Sequence, residues 1–541
     1  MRYKEIAKLL SFYLYCLSAI LLIPLCVSIY YDFIIEKHMH PYPSSFEAFA
    51  FTFGFTIILA LVFHFTSRGT SKRFHRKEAL FLVVLVWIFS TIIGALPFII
   101  TKTLENPIDA YFESVSGFTT TGSSVILPKK YDVQTGEEIP YVVRKAQSDE
   151  FYVYYGTINQ VTNLFTNEDM RGFAAIAKPI LFWRSFIQWL GGIGIIFLFI
   201  TILPTLNIGG KFLYEAESHP EFSEGSYQEN LRPRIKQTAS YLWKIYVGLT
   251  LVETLLLYFT NTKITFFEAV LTSFSTVSTG GFSITESGIG GYNSHPITLW
   301  IIILFMICGA INFGMYFHLI TGKFKKLLNV ELALFFMFIV VTVGLVVWKL
   351  SSKHDFAYSF MQGSFQTISA LTCTGFSTAN YDIWPFPCQA IMLVVMYIGG
   401  MTGSTSGGIK TARHITLFRA FKQKMYLLFK PDMIKVLKLG DSPIDPKSLN
   451  NVFIFFWVLV IASVLGTLLM IFDGIDLETA IGLTSCTINN VGLTFRMAGP
   501  GNTCAFLPVF SKIVAIVWMF LGRLEFFAIL ILLTPSFWKT R

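Results

Sequence analysis

Four stretches of this chain place hydroxyl side chains shortly ahead of a glycine. They are SVSGFTTTG ending at Gly122, TSFSTVSTG at Gly280, TISALTCTG at Gly375 and TSCTINNVG at Gly492. Set on those glycines, Ser114, Thr272, Thr367 and Thr484 share one column, and Thr121, Thr279, Thr374 and Val491 another. Carbonyl and hydroxyl oxygens grouped around an axis can replace part of a cation's hydration shell. Glycine permits the backbone dihedrals that aim successive carbonyls at such an axis. One such stretch would read as a helix-packing device. Four copies read as an internal repeat, and a repeat identifies an architecture before any single residue does.

A fifth segment, GGMTGSTSGGIK at 399–410, comes close to a phosphate-binding loop, but Ile409 separates Gly408 from Lys410-Thr411. Such a loop normally follows a β-strand in a soluble domain. Here it follows the apolar run AIMLVVMYI. A segment this rich in glycine makes a continuous helix unfavourable, so the expectation is a flexible non-helical stretch lining a water-filled pore.

The elements that must position these segments are apolar. Of 541 residues, 53% are hydrophobic and 14% charged, which indicates a polytopic membrane protein rather than several soluble domains. Candidate spans lie near 9–30, 46–66, 79–101, 179–203, 241–260, 297–320, 331–349, 386–409, 450–472 and 506–534. The first run lacks a small-residue cleavage site and reads as a retained helix. The Ser/Thr–Gly stretches fall in semi-apolar segments at 107–124, 265–282, 359–377 and 477–494, each between two spans. The unit is therefore helix, re-entrant segment, helix. The fold class is an all-α polytopic membrane protein with four such repeats around a pseudo-fourfold ion pore and an extra N-terminal helix pair. The expected divisions are 1–78 for that pair, 79–206 for repeat one with an outer insert at 126–178, 207–322, 323–448 and 449–541.

The net charge is +9, and basic residues concentrate in alternate loops: 68–77, 211–244, 323–326 and 410–447 are basic, whereas 283–296 and 378–385 hold no Lys or Arg. This is the positive-inside pattern, with both termini cytoplasmic. It accounts for the charge without nucleic acid, which would call for a basic patch interleaved with exposed aromatics. The basic loops also suit contact with anionic membrane lipid.

In order and spacing, several motifs together resemble the bacterial TrkH/KtrB potassium-uptake family. They are GFTTTG (117–122), WRSFIQWLGGIGII (183–196), LRPRIKQTASYLWKIYVGLT (231–250), STVSTGGFS (275–283), TGSTSGGIK (402–410) and GRLEFFAILILLTPSFW (522–538). The resemblance covers nearly the whole chain outside 126–178, and the extra helix pair favours the TrkH branch. It implies a potassium pore in the cytoplasmic (inner) membrane, one per protomer of a homodimer. It also implies a cytosolic nucleotide-binding TrkA-type regulator, K+ as the transported ion and no organic cofactor. Carried onto this chain, the selectivity filter is Thr120-Thr121-Gly122, Ser278-Thr279-Gly280, Cys373-Thr374-Gly375 and Asn490-Val491-Gly492. In related eukaryotic transporters a serine at the first filter glycine goes with sodium permeability, so Gly122 argues for potassium. The fourth repeat departs most from the pattern. By the same resemblance, Gly399, Gly400, Gly403, Ser404, Thr405, Ser406, Gly407 and Gly408 form an intramembrane gate with Arg523. A less selective Na+/K+ channel and an H+- or Na+-coupled K+ symporter are the alternatives.

Arg523 lies inside an apolar run, where a charge needs acceptors; a carbonyl near the pore or a pairing with Glu525 would serve. Glu113 and Glu268 fall early in re-entrant helices, as helix-start partners or cation attractors at the mouth. The insert 126–178 has turn signals around Gln134-Thr135-Gly136 and suggests a small β-containing cap. The seven cysteines show no metal spacing, and a disulfide between Cys388 and Cys504 is open. A transporter with discontinuous helices would show two inverted halves rather than four parallel units. No HExxH or GxSxG motif supports an intramembrane enzyme.

Overall fold

The computed structural model describes residues 3–35, 44–67, 76–132, 134–145, 149–163, 169–192, 194, 231–285, 288–322, 329–430, 438–439, 442–443 and 446–539. Two helices, α1 (Tyr3–Ile29) and α2 (Ser45–Thr66), form an N-terminal hairpin packed on α3 (Arg76–Ile100). Four units follow. The first is α3, the short helix α4 (Pro107–Phe118) and α5 (Lys178–Gly192). The second is α6 (Leu231–Thr260), the short α7 (Phe266–Val277), α8 (Pro296–Ala310) and α9 (Phe313–Ile320). The third is α10 (Val330–Leu350), the short α11 (Phe356–Leu371), α12 (Phe386–Ile398) and α13 (Thr411–Phe429). The fourth is α14 (Pro446–Phe472), the short α15 (Leu477–Asn489), α16 (Val509–Arg523), α17 (Phe527–Leu533) and α18 (Pro535–Trp538).

Among the described residues, six helices are long and apolar enough to cross a membrane, or eight if each bent pair counts as one span. The chain is a multi-pass membrane protein. The ten expected spans differ from this in their second members. Helices α8 and α9 meet at 98°, and α16 and α17 at 116°. Helix α12 stops at Ile398 rather than running to 409, and the span expected at 179–203 is helical to Gly192, beyond which it lies almost wholly outside the described residues. The first helices of repeats two to four have only 28%, 22% and 22% of their apolar window buried, whereas that of α3 is 61% buried. The hairpin α1–α2 covers α3, so repeat one is shielded where the others present Leu, Val and Phe outward.

Three of the four short helices are capped by a side chain where they start; Asp355, ahead of α11, makes no such bond. Asn106 accepts the Ile108 N–H, Asp476 that of Thr479, and Thr265 forms a reciprocal capping box with Glu268, as expected for a helix-start glutamate. The insert after the first short helix folds into antiparallel pairs: β1 (Lys130–Tyr131) with β2 (Glu138–Ile139), β3 (Tyr141–Arg144) with β4 (Phe151–Tyr154), and β5 (Val161–Thr162) with β6 (Asp169–Met170). Tyr152 of β4 donates from its hydroxyl to Asp476 Oδ1 at 2.6 Å and stacks edge-on against Phe506. The cap therefore sits on repeat four and braces the start of α15. All seven cysteines are free, Cys388 and Cys504 included, so no disulfide joins them among the described residues.

Candidate functional site: four glycine strands over an intramembrane loop

The four short helices end in one backbone signature. A residue with side chain takes positive φ at Thr120 (56°), Thr279 (52°), Cys373 (55°) and Asn490 (51°). Two residues on, a glycine does the same: Gly122 (83°), Gly281 (76°), Gly375 (88°) and Gly492 (85°). The residue between them donates its N–H back into its own helix. Thr121 reaches Ser116 O at 2.9 Å, Gly280 reaches Ser275 O at 2.8 Å, Thr374 reaches Ser369 O at 2.9 Å and Val491 reaches Cys486 O at 3.0 Å.

This signature corrects the alignment of repeat two by one residue. Gly281, not Gly280, stands with Gly122, Gly375 and Gly492. Gly280 takes the place of Thr121, and Thr279 that of Thr120. Ser278 is the C-cap of α7, as Thr119 and Thr372 are of their helices. Ser273 therefore replaces Thr272 in the upstream column. Two adjacent glycines give the sequence two equal registers, and only the left-handed φ at Gly281 separates them.

In the corrected register the strands close a ring. A Cβ on Gly122 would stand 2.3 Å from Gly280 O, one on Gly281 2.0 Å from Thr374 O, one on Gly375 2.2 Å from Val491 O, and one on Gly492 2.6 Å from Thr121 O. Each glycine is pressed against its neighbour's carbonyl, in the order one, two, three, four and back to one. All four line the floor of one outer cavity of about 330 Å³, which also touches Arg184, Ser283, Asn380 and Tyr381. Among the described residues lining it, none is acidic.

Beneath the ring lies the loop 399–410, between α12 and α13. It is non-helical, as expected, but wired rather than loose. Met401 N donates to Ala310 O at 2.9 Å, Thr405 N to Gly309 O at 3.2 Å, and Phe313 N to Gly403 O at 3.1 Å. These bonds dock the loop into the break between α8 and α9. At its other end Gly408 N reaches Asn489 O at 3.2 Å, and a Cβ on Gly407 would come 2.0 Å from the same oxygen. Thr402 N donates to Glu331 Oε1 at 2.8 Å, and Lys410 Nζ donates to Ser406 O. Non-helical backbone at membrane depth must find such partners, which is why the loop is held.

Arg523 closes the site from repeat four. Its guanidinium donates to Thr120 Oγ1 at 3.2 Å, Thr405 O at 3.2 Å, Gly192 O at 3.0 Å and Gly191 O. Of the two expectations, carbonyl acceptors near the glycine strands fit. Glu525 pairs with the buried Arg413 of α13 at 2.6 Å. Thr405 Oγ1 stands 3.0–3.2 Å from Val277 O, Gly309 O and Thr279 Oγ1, so loop, strand and broken helix meet at one residue.

Glu113 is neither at the mouth nor at a helix start. It is fully buried in mid-α4, pairs with Arg184 Nε at 2.6 Å and accepts Val125 N–H at 3.0 Å. Arg184 in turn donates to Ser283 O at 2.6 Å and lies 3.6 Å from the Phe282 ring. Residues that sequence reasoning did not single out include Gly281, Glu331 and Gln188. A buried amide in the apolar run of α5 was the available signal for Gln188. The basic loop expected at 207–240 falls mainly outside the described residues, as do parts of 410–449.

The model of the TrkH family, described as a cation transport protein, matches residues 159–539. The chain belongs to this family. Curated relatives of the TrkH family include the "Trk system potassium uptake protein TrkH" of Salmonella typhimurium, 31% identical over 91% of this chain and 92% of that one. The protein of the same name from Escherichia coli K12 is 30% identical over the full length of both. The crystal structure of the potassium transporter TrkH from Vibrio parahaemolyticus superposes with a TM-score of 0.76, at 28% identity and complete coverage of both chains. The fold described above is thus that of a solved TrkH structure.

Proposed function

We propose that this protein carries potassium inward across the cytoplasmic membrane through the ring of glycine strands, with both termini on the cytoplasmic side. The observation carrying this reading is the closed cycle in which each left-handed glycine meets its neighbour's carbonyl under one outer cavity. A cation leaving bulk water there exchanges hydration for strand carbonyls. The C-terminal ends of α4, α7, α11 and α15 turn their partial negative charge towards it. The filter is then Thr120-Thr121-Gly122, Thr279-Gly280-Gly281, Cys373-Thr374-Gly375 and Asn490-Val491-Gly492. The curated relatives are named for potassium uptake, which favours K+ over other cations.

The loop 399–410 and Arg523 act as the gate. Support comes from their position: Thr405 and the guanidinium meet at the base of the first two strands, where a cation coming off the ring would pass. The cation meets a positive charge and a packed loop, and flux requires that both move aside. Helix α13 leaves the loop directly and exposes Phe418, Phe421, Leu428 and Phe429. That face suits a second copy of the chain in a homodimer. A TrkA-type nucleotide-binding regulator would act on the gate through the basic cytoplasmic segments.

The test is rescue of potassium uptake in a cell deficient in potassium transport. Wild-type protein should restore growth at low potassium. Gly281→Ser or Gly375→Ser should keep cation flux but lose discrimination against Na+, because a Cβ there displaces a strand carbonyl. A membrane-inserted wild type that takes up no potassium in the presence of its regulator would refute the assignment.

A further inference from the structure

The column behind the filter is uneven. Repeats one and three place a threonine there, and each hydroxyl pairs with the helix C-cap, Thr119 with Thr121 and Thr372 with Thr374, both at 2.8 Å. Thr121 also accepts from Asn490 Nδ2 at 2.8 Å. Repeat four has Val491. Repeat two has Gly280, which brings no side chain, and follows it with Gly281. Two consecutive glycines make this the strand with the greatest backbone freedom, at a place where carbonyl position decides which ion fits.

The empty position is occupied from elsewhere. Gln188, on α5 of repeat one, is fully buried, and a Cβ built on Gly280 would stand 2.6 Å from its Cδ. Its Nε2 donates to Gly280 O at 2.6 Å and its Oε1 accepts the Phe282 N–H at 3.1 Å. One amide thus brackets Gly281 on both sides. Helix α5 is pressed close at this level: a Cβ on Gly192 would be 2.6 Å from Ser278 Cβ, and one on Gly191 1.9 Å from Phe118 O.

We propose that Gln188 stands in for the side chain missing from repeat two, and that by holding Gly280 and Phe282 it is a positioning residue for discrimination between K+ and Na+. This inference rests on the filter reading above. Without the amide, a buried carbonyl and a buried N–H lose their partners on the most pliable strand. That strand can then relax around the smaller ion.

Purified protein in liposomes, with K+ and Na+ permeabilities measured in one preparation, tests this. Gln188→Leu keeps the volume and removes both hydrogen bonds. The K+/Na+ permeability ratio should fall about tenfold, the effect of one lost buried hydrogen bond, whereas a purely structural role would scale both permeabilities together. Should Gln188→Leu not fold, the double variant Gln188→Ala with Gly280→Thr decides, because it returns a threonine to the column from its own strand. Wild-type discrimination in the double variant supports the proposal, and relaxed discrimination there overturns it. An unchanged ratio in folded Gln188→Leu also overturns it. Gly375→Ser separates the two levels. If it too leaves the ratio intact, the filter reading has failed; if it alone relaxes the ratio, only the role of Gln188 has.

Discussion

At Asp382, on the outer surface where repeats three and four meet, one carboxylate oxygen is satisfied and the other is not. Oδ2 accepts the Arg496 N–H at 2.9 Å, whereas the buried Oδ1 has no hydrogen-bond partner among the described residues. Burial pushes this carboxyl up to about 6 from 3.8, against the lowering pull of the Arg496 N–H and charge, with Glu478 adding to the rise. Between those two values the folded protein binds more proton than the unfolded chain, so stability falls as pH rises from about 4 to about 6 and stays lower above. Asp382→Asn keeps an acceptor for Arg496 and cannot ionise. The thermal midpoint of wild type in detergent should therefore drop, relative to Asp382→Asn, between pH 5 and pH 7.5; parallel profiles would show that the group is not strained. Nothing in the local sequence announces this, because the burial that raises the carboxyl is a product of the fold, and its partner Arg496 lies more than a hundred positions away. Arg523 was legible, since a guanidinium inside an apolar run demands acceptors. Its neighbour Glu525 also reaches Arg413 on α13, a partner that sequence proximity does not suggest because the chain turns by 116° at that point.

The re-entrant elements could be read from the sequence because their signals are local: a cap, a short amphipathic helix, a hydroxyl-rich end and a glycine. The breaks in the second helices could not. The run 297–320 is apolar on both sides of Ile311 and Asn312, and its division depends on Gly309 and Ala310 offering carbonyls to the loop 399–410. This dependence ties the loop's stability to partners that include the α8–α9 break, α10 through Glu331 and α16 through Arg523. Removing residues 402–407 deletes bonds to each of these and leaves Met401 N on Ala310 O; if the loop is the gate proposed above, the deletion should raise flux and weaken control by a regulator. Glu331→Ala removes the acceptor of the Thr402 N–H and should act in the same direction with smaller effect. Glu331→Gln retains an acceptor oxygen for Thr402 N and should resemble wild type. Basal and regulator-stimulated rubidium uptake in vesicles would rank the three. A Glu331→Gln variant as leaky as Glu331→Ala would mean that charge towards Lys410, rather than the bond to Thr402, holds the loop.

Across the whole molecule, four separate units must hold a ring whose members meet at van der Waals distance, and polar ties fix them to one another. Arg184 joins repeats one and two through Ser283 O, Asn293 Nδ2 joins two and three through Thr378 O at 2.9 Å, and Arg413–Glu525 joins three and four. Lys512–Asp109, at 2.6 Å and less than a tenth exposed on both sides, closes four back onto one. Such ties were invisible in the sequence because their partners lie up to 403 positions apart. A buried pair adds little net stability over apolar residues of similar size, yet breaking it strands a charge at a cost of about 3–5 kcal/mol. Lys512→Met should therefore lower the thermal midpoint sharply, because Asp109 remains at the start of α4 without its cation. Asp109→Asn combined with Lys512→Met removes both charges and should recover most of the loss. The two outcomes separate closure of the ring by charge from closure by packing. If the double variant is as unstable as the single, the pair itself clamps repeat four to repeat one; if it recovers, apolar contact along α4 and α16 closes the ring and the ion pair sets only its register.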